Sequence, residues 1–188
     1  MITQTVMKLQ ASLVALMLAL FLLPLGAAHA GSAVEIDASV DAALSRFKKE
    51  VKGANEYLAA AKGVIVMPDV KKVGFVVGAQ WGEGALRVGG KTVDYYKMDS
   101  GSAGFQGGYQ KASFVFLFLT QEALDKFRAS EGYSVGVETG ITVMDSSTPA
   151  MSADTLKSQS SVVAFGFGKE GLMGGWSAKG TKFTRLKK

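Results

Sequence analysis

Arg46, Lys48, Lys49 and Lys52 crowd four cations beside an apolar series, Val40, Leu44, Phe47 and Val51, spaced by four, three and four. That spacing predicts an α-helix over Ser39–Val51 with an apolar stripe and the cations off it. Such a helix suits two environments. It can lie in a lipid interface with its cations on anionic groups, or pack on a core with its charges in solvent. Asp41 and Glu50 dilute the basic face. The Lys71-Lys72 pair after Pro68 and the tail residues Lys182, Arg185, Lys187 and Lys188 can extend a positive surface, although short charge runs are commonly just solvated ends. Arg46, Lys48, Lys49, Lys52, Lys71 and Lys72 are therefore the candidate anion contacts. Trp81, Tyr95, Tyr96 and Trp176 stand near expected turns, where they can anchor in an interface, line a pocket or stack over glycines.

Other chemistry is poorly provided for. The chain has no cysteine and one histidine, His29. If His29 leaves with a cleaved leader, the remainder can build no Ser-His-Asp triad, cysteine nucleophile or usual zinc site. Asp69, Glu83, Asp94, Asp99, Glu138 and Glu170 could pair as acid and base only if the fold brings two together. No calcium-loop motif is present, and no cofactor is implied. Gly166-Phe167-Gly168-Lys169-Glu170-Gly171 matches the dinucleotide fingerprint in letters, but Gly174, Gly175 and Trp176 follow where a helix must begin. Gly90-Lys91-Thr92 ends like a phosphate-binding loop, yet position 85 is alanine and Val93-Asp94-Tyr95-Tyr96 favours a strand. Both read as glycine-bearing hairpins.

The elements that must position these residues begin after the first thirty. Lys8, the apolar run Ala11–Leu25 and the Ala28-His29-Ala30 site form a signal-peptide pattern. Residues 1–30 are expected to be removed, and 31–188 to form a single domain in the periplasm or outside the cell. Without cysteine it is not lipidated at the cleavage site, and no disulfide staples it. Loss of Lys8 lowers the formal charge from +5 to +4. That mild excess requires no nucleic acid.

Asn55 is the expected cap of a second short helix, closed by Lys62-Gly63. The period then changes to that of strands. Val64–Met67 stops at Pro68-Asp69, and Val73–Gln80 and Ala85–Val88 flank a turn at Gly82–Gly84. Gly89-Gly90 makes a two-residue hairpin into Thr92–Lys97. Asp99–Ser102 turns the chain before Ala103–Gln110. Ser113–Leu119 is apolar throughout, as in a central strand covered on both faces. Thr120 caps a helix over Gln121–Ala129, and Tyr133–Met144 alternates. Asp145–Ser160 is polar enough for a long loop, and strands follow at Val162–Gly168, Leu172–Lys179 and Lys182–Leu186. The fold class is α+β: mostly antiparallel strands in a curled, barrel- or sandwich-like sheet, with N-terminal helices and one inserted helix.

The blocks AKGVIVMP, GFVVGAQWGEGALRVGGKTVDYY, GSAGFQGGYQKASFVFLF and VVAFGFGKEGLMGGWSAKGTKFTRL resemble, in order, the SYLF domain, a lipid-binding and actin-regulator family. The likeness runs from about Val34 to the C-terminus. It implies phosphoinositide or membrane binding through an amphipathic helix at the domain's N-terminal end, the place that Ser39–Lys52 occupies. Export argues against actin as partner and for an anionic membrane surface or lipid. Two alternatives stay open: an interaction or structural module with a protein partner in the envelope, and an enzyme of carboxylate chemistry.

Overall fold

The computed structural model describes residues 31–74, 77–103, 108–130, 132–135, 141–170 and 180–188. The expected leader, the Leu172–Lys179 strand, Trp176 and Glu138 lie outside them. Helix α1, Ala33–Glu50, starts earlier than its apolar spacing suggests. The Ser32 hydroxyl accepts from the Glu35 backbone N–H, and the Glu35 carboxylate accepts from the Ser32 N–H at 2.7 Å. This capping box satisfies two end groups and adds a turn that buries Ile36 beside Val40, Ala43 and Phe47. Helix α2, Ala54–Ala60, follows Gly53 at φ +83°. Asn55 lies inside it and is not its cap.

Among the described residues eight strands form one sheet: β1 Gly63–Gly74, β2 Val77–Val88, β3 Lys91–Ala103, β4 Gly108–Phe118, β5 Gly132–Val135, β6 Ile141–Asp145, β7 Val162–Glu170 and β8 Thr181–Leu186. Their order is β5-β8-β3-β2-β1-β4-β7-β6. The β6–β7 pair is parallel and the other pairs are antiparallel. With its helices this is the expected α+β class, the sheet curling into a half-barrel.

Several boundaries differ from the sequence expectation, for physical reasons. Pro68-Asp69 does not end β1. The register shifts there against both neighbours, and Asp69 absorbs the bulge at φ +50°. Gly82–Gly84 is no turn but the middle of β2, paired with Met98, Lys97 and Tyr96 of β3. A Cβ on Gly84 would stand 1.9 Å from the Val66 carbonyl oxygen, so the glycine serves close approach to β1. Asp99–Ser102 likewise continues β3. Tyr133–Met144 is divided between β5 and β6, at opposite edges of the sheet. The polar 145–160 segment contains a second inserted helix, α4 Ala153–Gln159, capped by Ser152. Three features match expectation: the Gly89-Gly90 turn with both φ positive, the apolar central strand β4, and the Thr120-capped helix α3 Gln121–Ala129.

The alternation of β4 divides the interior. Phe114, Phe116 and Phe118 join a cluster with Leu124 and Phe127 of α3. Val115 and Leu117 join another with Phe47 of α1, Tyr57 of α2 and Leu156 of α4. From Ala112 to Phe118 the strand is therefore buried on both faces, which explains the absence of polar alternation there.

Candidate functional site

The first question at the basic helix is where its apolar stripe points. Phe47 is wholly buried, with ring centroids 5.6 Å from Phe165 and 5.4 Å from Phe167. Polar contacts pin α1 along its length. Asp37 accepts from Thr92 Oγ1 at 2.6 Å and Tyr95 Oη at 2.8 Å, and Arg87 lies between Asp37 and Asp41 at 3.4 and 2.8 Å. The Thr92 hydroxyl holds the Asp37 carboxyl below the usual carboxylate value; Tyr95 and Arg87 act the same way, against partial desolvation. Arg46 donates to Ser113 Oγ at 2.6 Å and lies 3.2 Å from Asp69 Oδ1. Ser113 Oγ also accepts the Asp69 N–H, and Lys111 Nζ is 3.3 Å from the same carboxylate. Glu50 accepts the Gly168 N–H at 2.9 Å. Of the two environments open to this helix, the structure uses its apolar face in the core.

Its cations divide accordingly. Arg46 is committed to the helix–sheet junction and sits 6.0 Å over the Phe167 ring. Lys48, Lys49 and Lys52 are exposed and, with Val51, Gly53, Ala54, Asn55 and Glu56, line an open groove of about 470 Å³. Among the described residues these three lysines make no ion pair. Glu50 accepts from the Gly168 N–H, and Glu56, itself on the groove wall, from the Ala153 N–H at 2.8 Å, so the groove keeps an excess of positive charge. The groove is thus a cluster of three ammonium groups suited to a multivalent anion.

Lys71 and Lys72 do not line this groove. They are consecutive in β1, so their side chains leave opposite faces of the sheet. Lys71 is exposed, and Lys72 borders a cavity of about 10 Å³ with Gln80, Gln110 and Lys111. The Asp69–Lys111–Ser113 cluster was missed in the sequence; the Pro68-Asp69 break was its one visible sign. Of the aromatics, Tyr96 is buried, Tyr95 is tied to Asp37, and Trp81 is partly exposed.

Of the six carboxylates named from sequence, the four whose side chains are described each face cations of their own. Asp69 faces Arg46 and Lys111, Glu83 faces Lys188, Asp94 faces Arg128 and Arg185, and Asp99 faces Lys97. Among the described residues no group of three or more acidic or histidine side chains could hold a metal ion, and no helix is long and apolar enough to cross a membrane. Gly166 and Gly168 of the apparent dinucleotide fingerprint lie within β7, where they give room to Phe114 and Arg46.

A curled sheet covered by helices on both faces, with an open cationic groove and scattered, cation-paired carboxylates, has the character of a binding domain. A family model described as Ysc84, Las17-binding protein actin regulator, matches residues 99–188, from the end of β3 through β8. That match spans 90 of the 188 residues and is consistent with a SYLF domain, a family known as of lipid-binding and actin-regulator type. No curated protein matches the chain. The blocks AKGVIVMP and GFVVGAQWGEGALRVGGKTVDYY precede the matched range, but they form β1, β2 and the start of β3, which hydrogen-bond directly into it.

Proposed function

We propose that this protein is a non-enzymatic lipid-binding module of the cell envelope, which docks anionic phospholipid headgroups in the groove of Lys48, Lys49 and Lys52. The observation that carries this reading is the gathering of three exposed lysines that make no ion pair among the described residues, beside carboxylates hydrogen-bonded to backbone N–H groups. Because the apolar face of α1 is in the core, docking is electrostatic and leaves the helix in place. The leader pattern in residues 1–30 supports a site of action outside the cytoplasm, where actin is absent.

Sedimentation of Gly31–Lys188 with neutral and anionic vesicles tests this. Binding is expected only to anionic vesicles and is lost as salt screens the charges. Replacing Lys48, Lys49 and Lys52 with Glu should weaken it on the order of a hundredfold or more. Unchanged binding of that variant would remove the groove from the mechanism. The matched family's description as a Las17-binding protein actin regulator favours one second reading, a protein partner in the envelope. Absence of binding to any vesicle, with one specific crosslinked partner, would establish it instead.

A further inference from the structure

The sheet face that α1 covers does not end at the Arg46–Asp69–Ser113 junction. Lys71 of β1 pairs with Trp81 of β2 and Lys111 of β4, and Val73 pairs with Ala79 and Tyr109. Cross-strand partners share a face, and so do residues two apart. Lys111 is therefore on the side of Ser113, Val115 and Leu117, and Trp81 on that of Ala85, which are turned toward α1. Past the helix this face lies open: Tyr109 is 57% exposed, Val73 38% and Trp81 36%. The other exposed large apolar residues among those described, Val34, Val93 and Val143, belong to three separate elements. Here three stand together on adjoining central strands.

Among the described side chains, the charges around them have one sign left over. Asp69 is neutralised by Arg46 and Lys111, Asp99 by Lys97 at 3.0 Å, and Glu83 by Lys188 at 3.8 Å. Lys71 is exposed and, among the described residues, in no ion pair. Tryptophan and tyrosine on a flat face, with a lysine between them, match the headgroup layer of a bilayer: the rings take the apolar boundary and the ammonium reaches the phosphates.

We propose that Trp81, Tyr109, Val73 and Lys71 form a second membrane-contact surface, which enters the headgroup–acyl boundary of an anionic bilayer as a rigid sheet face. The proposal rests on the lipid reading above but uses residues outside the lysine groove. It makes membrane contact two-part: a long-range electrostatic groove, and a short-range aromatic face that does not depend on α1 leaving the core.

The test uses Gly31–Lys188, which holds every described element and both apolar clusters in one compact unit, with Trp176→Phe so that Trp81 is the single tryptophan. Vesicles of phosphatidylcholine with phosphatidylglycerol, some carrying acyl chains brominated near the glycerol, are added. The Trp81 emission should shift to shorter wavelength and be quenched by the brominated lipid. Tyr109→Ser should weaken vesicle binding about tenfold with an unchanged denaturation midpoint, because its ring is mostly exposed. Sedimentation with vesicles but no shift and no quenching would overturn the aromatic face and leave the groove standing. A shift that grows with protein concentration and needs no vesicles would assign the face to a second copy of the chain and overturn the proposal. No sedimentation at all would overturn both readings.

Discussion

Replacing Phe47 with Ala separates a docked α1 from a detachable one. Phe47 is fully buried and lies edge-on or tilted against Phe165 and Phe167. Truncating such a ring costs about 3–5 kcal/mol, which lowers the melting temperature of a domain this size by about 10 °C or more. Lifting the whole helix would expose Ile36, Val40, Phe47 and Val51 together. At roughly 1.5–3 kcal/mol per side chain that is about 6–12 kcal/mol, comparable to the total stability of an ordinary domain. Helix α1 therefore leaves the sheet only when the domain unfolds. Two measurements check this: denaturant unfolding of the wild type and Phe47→Ala, and native-state hydrogen exchange. The amides of α1 should exchange with the same free energy as those of β4. Vesicle binding by the folded variant should not rise. If α1 amides exchanged orders of magnitude faster than β4, or Phe47→Ala kept its midpoint while binding vesicles more tightly, the helix would be a detachable membrane element and this reasoning would fail.

Two further substitutions probe the framework that holds the groove. Gly84→Ala should destabilise by about 3 kcal/mol or prevent folding, because the new methyl meets the Val66 carbonyl oxygen, a backbone atom that cannot rotate away; a variant that melts like the wild type would refute the β1–β2 approach. Asp37→Asn should destabilise near neutral pH and progressively less in acid. The native carboxyl value is lowered, so its contribution is present above the unfolded value of about 3.9 and is lost as pH falls through the native one. Denaturation midpoints of the two proteins should therefore converge as the pH falls below the unfolded value of about 3.9, and a gap independent of pH would show that charge is not what Asp37 contributes.

Residues acting through their near neighbours in the chain were legible without a structure. The Thr120 cap, the Gly89-Gly90 turn, the apolar β4 and the amphipathic α1 each follow from backbone chemistry within a few residues. So did the basic cluster Lys48, Lys49 and Lys52, since one helix end brings it together. Glycine is less legible. Gly82 and Gly84 look like a turn in one dimension; only the strand lying across them, with the Val66 carbonyl in the space of a side chain, makes them strand residues. The Pro68-Asp69 break became a bulge because two neighbouring ladders hold β1 in place on either side of it. What the apolar stripe of α1 faces was undetermined for the same reason, because core and lipid are both apolar and the same 3.6-residue period suits either. Phe165 and Phe167, more than a hundred residues along the chain, decided it. The open patch of Val73, Trp81 and Tyr109 likewise exists only through cross-strand register, which pairs residues that no sequence spacing relates.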